Sequence, residues 1–126
     1  MSVSSDRGSA QTIVAAYRSA LAKGDFASAR SFLADDLHFK GPIDEFHRAD
    51  DYISAVGKLH TIIKAIENAV EFAAGDEVAV FYDMVTKTPA GTAAIAERYR
   101  VRGGKIVELR TIFDARPFAA MFEKRA

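Results

Sequence analysis

The best-placed chemical group in this 126-residue chain is the carboxylate of Glu97. In the run AERYRVR, Glu97, Tyr99 and Val101 alternate with Arg98, Arg100 and Arg102. As a strand, the run therefore turns one carboxylate to the same side as a Tyr and a Val, the side that a covering helix would bury. A carboxylate facing an apolar interior must be protonated or matched by partners, which makes Glu97 a candidate for proton transfer or water activation. Tyr17 stands on the apolar face of a helical pattern, where a Tyr buries its ring and needs a partner for its hydroxyl. Asp114, in the run FDARPF, admits two readings: an acid–base partner for a His brought close in space, or a strand-end Asp bonding nearby backbone amides. The second is the simpler one. His38, His47 and His60 have no metal-binding spacing such as HExxH, so no metal is expected. With no Cys there is no disulfide, thiolate site or Cys nucleophile, and no Ser-nucleophile motif, phosphate loop or dinucleotide fingerprint appears. No cofactor is expected.

The elements that must position these groups change character half-way. Residues 9–23 place Ile13, Val14, Tyr17, Ala20 and Leu21 on one helical face, with Gly24 after the helix. Asp25 caps a second helix with the stripe Phe26, Ala29, Phe32 and Leu33. A third starts at Asp50 or Asp51 and repeats Ile53, Val56, Leu59 and Ile63; a short strand over 37–42 precedes it, stopped by Gly41-Pro42. From Ile66 the period becomes two: Ile66, Asn68, Val70 and Phe72 predict a half-buried strand. Strands over 76–87, 92–102 and 105–114 follow, joined by turns at Pro89-Ala90-Gly91 and Gly103-Gly104, and a short tail carries Phe118, Met121 and Phe122. Helices first and an antiparallel meander afterwards predict an α+β fold in one domain over 1–126, with residues 1–8 as a disordered tail.

Lys plus Arg equals Asp plus Glu at 17 each, so the chain lacks the positive excess that draws a protein to nucleic acid. No apolar run approaches the roughly 20 residues that span a bilayer. The polar N-terminus is not a signal peptide, which points to a cytoplasmic protein that binds no membrane. Arg98, Arg100, Arg102 and Arg110 form a cationic stripe on the outer face of the strands. Phe81, Val85 and Ile112 on that face make a homodimer interface the natural reading of it.

Two stretches carry a family resemblance. YRSALAKGDFASARSFLADDLHFKGP and IAERYRVRGGKIVELRTIF resemble the nuclear transport factor 2-like superfamily, which includes ketosteroid isomerases and SnoaL-like polyketide cyclases. The resemblance implies a cone: a curved antiparallel sheet wrapped around three N-terminal helices. In the isomerases a Tyr and a protonated acid hold an enolate oxygen while a second carboxylate moves the proton, a scheme that serves as a standard example of pKa tuning. Mapped by motif, the Tyr falls on Tyr17, the acid on Glu97 and the base on Gly41. Glycine accepts no proton, so steroid-type isomerisation is not expected; Asp44, Glu45 or a His would have to replace the base. The SnoaL-like cyclases keep Asp114 among the catalytic candidates.

The resemblance also puts Val80, Tyr82, Met84 and Thr86 on the inner face, joined by Leu109, Thr111 and Phe113. The implied ligand-binding set is Phe39, Val56, Tyr82, Met84, Tyr99, Leu109, Thr111 and Phe113, an apolar cavity with a few hydroxyls. Two functions fit: a binder of a small apolar molecule, with Tyr17 and Glu97 as the polar centre, or a non-catalytic module that docks a partner through its sheet.

Overall fold

The computed structural model describes residues 2–123. Helices α1 (Ser2–Ala22) and α2 (Phe26–Ser31) precede β1 (Leu33–Lys40), the short β2 (Glu45–Phe46) and α3 (Ala49–His60). Strands β3 (Ile63–Ala74), β4 (Glu77–Thr86), β5 (Thr92–Arg102) and β6 (Lys105–Ile112) follow, and α4 (Arg116–Glu123) ends the described chain. The six strands make one curved, unclosed sheet in the order β2-β1-β6-β5-β4-β3. It is not antiparallel throughout. β1 runs antiparallel to β2 but parallel to β6, which the long intervening chain permits.

Helix α1 lays Ala10, Val14, Tyr17 and Ala20 on the inner face of the sheet, all buried as the helical spacing requires. It begins well before the expected start, so most of the stretch expected as a disordered tail is helical: once a packed segment has nucleated a helix, adding residues costs little. The Asp25 carboxylate accepts hydrogen bonds from the Ser28 backbone N–H at 3.1 Å and the Ser28 hydroxyl at 2.7 Å, capping α2. The strand after it starts at Leu33, upstream of the expected Leu37. Helix α3 begins at Ala49 without a side-chain cap, because Arg48 at the N-cap position carries no acceptor; Asp50, in the first turn, accepts from Arg30 Nε at 2.7 Å. Arg30 also reaches Asp35 and the Leu33 carbonyl, tying α2, β1 and α3 together.

Strand β3 departs most from expectation. It is exposed beyond Ala65 rather than half-buried. Its register on β4 slips between Glu67 and Val70, where Asn68 takes a left-handed φ of 57°. The extra residue of this bulge reverses the parity of the strand. Ile66 pairs with Met84 of the inner face, but Val70 and Phe72 pair with Phe81 and Ala79 of the outer face. The hairpin between β5 and β6 turns on Gly103 and Gly104, both at positive φ (58° and 75°), the pair of left-handed conformations that a two-residue turn demands.

The main core joins α1, α3 and the inner residues Leu33, Leu37, Val78, Val80, Tyr99, Val101, Ile106 and Leu109. A smaller cluster of Met84, Ala93, Ile95 and Phe118 lies where α4 folds back on the sheet. The sequence pattern predicts only a tail there. Phe118 meets Phe113 edge to face, with ring centres 5.7 Å apart.

Candidate functional site

The chain's four tyrosines come from four different elements, and all of them gather about Glu97. Glu97 and Tyr99 share the inner face of β5, and Thr111 stands directly opposite Glu97 on β6. Tyr99 donates its hydroxyl to Glu97 Oε1 at 2.7 Å, and Thr111 donates to Oε2 at 3.0 Å. Among the described residues no Lys, Arg or His pairs with Glu97; hydroxyls satisfy it.

Tyr17 does not bond Glu97 as the motif mapping suggested. Its hydroxyl lies 2.8 Å from that of Tyr52 on α3, both groups being buried. Tyr99 takes the expected place beside Glu97, with its ring in edge contact with Tyr17 at 6.0 Å. The Arg18 guanidinium lies 4.9 Å above the Tyr82 ring, a cation–π contact that brings one positive charge to the rim of the cluster.

Burial raises the pKa of all four phenols, and the Glu97 charge raises each further. For Tyr17 the bond with Tyr52 opposes the rise, and the Arg18 charge opposes it for Tyr17, Tyr82 and Tyr99. The phenols therefore remain protonated near neutrality and act as hydrogen-bond donors rather than bases.

A cleft of about 850 Å³ opens beside this cluster, between the β1–β2 loop, α3 and the end of β6. Its walls are Phe39, Phe46, Tyr52, Val56, Leu59 and Phe113, with Asp44, Asp51 and Lys58 at the border. Tyr52 belongs to both places: it walls the cleft and bonds Tyr17. Along the inner side of β6, Leu109 is in the core, Thr111 at Glu97 and Phe113 on the cleft wall.

The ligand-binding residues expected from sequence thus divide three ways. Phe39, Val56 and Phe113 wall the cleft, while Tyr82, Tyr99 and Thr111 surround Glu97. Leu109 and Met84 are packing residues in the two cores. Asp114 is exposed; it accepts from the Arg116 backbone at 3.0 Å and from its guanidinium at 2.7 and 2.9 Å. Those bonds to Arg116 hold its pKa down at about 2 and leave it outside the cluster.

Gly41 lines the cleft, and a Cβ there would come within 2.9 Å of the Phe39 ring. That ring is stacked on Tyr52 at 4.7 Å and is not free to yield. Of the replacement bases considered, Asp44 borders the cleft, whereas Glu45 points away and bonds His38. Tyr52 is absent from the site residues expected from sequence, although it stands four residues before Val56 on the same helical face, and that spacing is the signal for it.

The SnoaL-like domain family matches residues 14–109. The chain belongs to this family. It is similar to a protein from Kribbella flavida DSM 17836, with 26% identity, TM-score 0.80, and 90% of this chain and 93% of that one covered. It is also similar to an NTF2-like protein of unknown function from Cytophaga hutchinsonii ATCC 33406, at 25% identity, TM-score 0.74 and 87% and 94% coverage. An M. tuberculosis LEH-like epoxide hydrolase shares the fold at 18% identity and TM-score 0.71, covering 94% and 98%. No curated protein sequence matches the chain. No helix among the described residues is long and apolar enough to cross a membrane.

Proposed function

We propose that this SnoaL-like protein binds a small, mostly apolar molecule in the cleft, anchoring one polar atom of it at Tyr52. The observation that carries this reading is the double position of Tyr52, on the cleft wall and in the hydroxyl pair with Tyr17. One hydrogen bond between two hydroxyls uses one proton, and the pair holds two. If Tyr17 donates, the Tyr52 proton is free for a ligand carbonyl or hydroxyl. The walls favour flat or alicyclic rings. Any reaction would be proton transfer or water activation, with Glu97 as the charge behind the phenols and Asp44 the carboxylate nearest the cleft.

The chain has no Trp, so tyrosine fluorescence reports almost wholly on this cluster. Titrating aromatic and alicyclic ketones against that signal should give saturable one-to-one binding, and Val56→Trp, which fills the cleft, should remove it. In that variant the emission of the introduced Trp, which masks Tyr, is the signal followed. Binding that survives Val56→Trp would place the ligand elsewhere and end the proposal.

A second reading rests on the outer face. Val70, Phe72, Phe81 and Ile112 are 49–60% exposed there, and Phe72 meets Phe81 edge to face at 6.1 Å. A second copy of the chain packing sheet to sheet would cover them. Sedimentation equilibrium at micromolar concentration should give a dimer, and Phe81→Asp a monomer; a monomeric parent protein would reject this reading.

A further inference from the structure

We propose that His38, Glu45 and His47 form a binding site for a divalent transition-metal ion of the zinc type on the outer side of the β1–β2 ribbon. No linear motif announces it, because antiparallel pairing supplies the proximity. Phe39 pairs with Phe46 and Lys40 with Glu45, so the next step of the same ladder sets His38 across from His47. The two imidazoles stack with ring centres 4.8 Å apart and planes 8° from parallel. Both direct Nε2 toward one carboxylate oxygen, Glu45 Oε2, at 2.7 Å from His38 and 3.7 Å from His47. One donor atom from each of the three residues lies within 4.8 Å of the others.

Two imidazoles and a carboxylate are a donor set that zinc accepts, with a fourth position left to water. Ligand atoms about 2.0–2.2 Å from a tetrahedral ion stand roughly 3.4 Å apart. The His47–Glu45 separation is already close to that, the His38–Glu45 separation must open by well under an ångström, and the two imidazole donors, within 4.8 Å of each other, must draw together by at most about 1.4 Å. The side chains can make that adjustment, being 41% (His38), 43% (Glu45) and 72% (His47) exposed. The ion would replace the direct hydrogen bond between His38 Nε2 and Glu45 Oε2.

The backbone beneath is fixed. On the opposite side of the ribbon Phe39 and Phe46 pack on each other and on Tyr52, and Gly41 N–H donates to the Asp44 carbonyl at 2.9 Å to close the loop. The neighbouring charges on the outer side are Lys40, Glu108 and Arg110. Glu108 offsets Lys40 in part, although Arg98 and Arg100 already engage it. The same ribbon walls the cleft, so an ion here would stiffen one of its sides.

The test is calorimetric titration of Zn²⁺ into untagged, chelator-stripped protein near neutral pH. One ion should bind per chain. His38→Ala, His47→Ala and Glu45→Gln should each weaken binding at least about tenfold, since even second-sphere losses reach that size. His60→Ala serves as the control: this third His packs on Phe26, away from the ribbon, and its loss should change nothing. Circular dichroism verifies that each variant is folded. Absence of binding in the parent protein overturns the proposal, as does binding that survives in His38→Ala or His47→Ala, or that disappears in His60→Ala.

Discussion

Strand β5 has two faces that solve the same problem differently. On the outer face, Glu77 and Glu108 are held by Arg98 and Arg100 in a lattice of ion pairs open to solvent. On the inner face, Glu97 has no cation bonded to it among the described residues and is held by the hydroxyls of Tyr99 and Thr111. Water already screens the outer carboxylates, so losing a partner there costs little. The inner carboxylate depends on a few fixed donors in a region of low dielectric, where an unmatched group is expensive. Hydroxyls also differ from guanidiniums in being able to rotate and offer their protons elsewhere. Each hydroxyl carries a single proton, so one that turns toward a ligand leaves Glu97 to its other partner, whereas the guanidiniums of the outer lattice stay on their carboxylates.

The largest expected effect comes from removing the inner carboxylate. Glu97→Ala leaves the hydroxyls of Tyr99 and Thr111 without their acceptor and opens a void, destabilising the fold on the order of 1–3 kcal/mol. Glu97→Gln keeps an acceptor oxygen for one of the two hydroxyls and should cost less. Denaturant unfolding of the three proteins decides this. Equal damage from Gln and Ala would mean that the negative charge, rather than the acceptor, is what the cluster requires.

The hydroxyl pair comes next. Tyr17→Phe or Tyr52→Phe alone strands a buried hydroxyl and should cost about 1–2 kcal/mol. The double variant leaves nothing unmatched, so its cost should fall short of the sum of the singles. Strict additivity would show that the two hydroxyls are not bonded to each other in solution.

The outer lattice should be less sensitive. Glu108→Gln is expected to cost under about 1 kcal/mol, and the difference should shrink as salt is added. A larger cost that salt does not reduce would remove the contrast between the two faces.

The fold was legible because its signals are local. Asp25, the alternation in β4 to β6 and the Gly103-Gly104 turn each act within a few residues, and the structure agrees at each. The inner placement of Glu97 was equally open to reading, since parity alone assigns it. What escaped depends on residues distant in sequence. The partner of Tyr17 is 35 positions away, and its identity rests on how α3 crosses β1. The bulge at Asn68 separates Ile66 from Val70 and Phe72, which alternation had placed together on one face, because periodicity cannot register one inserted residue. Helix α4 was read as a tail, although Phe118 closes a core cluster and packs on a wall of the cleft.

The smallest effect concerns Asp114, the third catalytic candidate of the sequence reading. Its pKa falls from 3.8 to about 2 because the Arg116 side chain and backbone N–H both bond its carboxylate. A folded-state value below the unfolded one means that the contribution to stability is present above the unfolded pKa and is lost as pH falls through the folded one. The parent protein should therefore melt slightly higher than Asp114→Asn at pH values above about 4, with the gap closing between about 4 and about 2. Asp25, Asp35 and Glu45 are also held low and titrate in acid, but they are common to both proteins and cancel in the difference. The carboxylate is exposed, so the gap should be small and should narrow in salt. A gap that persists unchanged to the acid end would mean that Arg116 does not hold the carboxylate in solution. Ketone binding measured on the same variant then separates the two readings of this residue. Unchanged affinity in Asp114→Asn confirms a strand-end partner of Arg116, whereas a loss of affinity with an unchanged melting temperature would return Asp114 to the site.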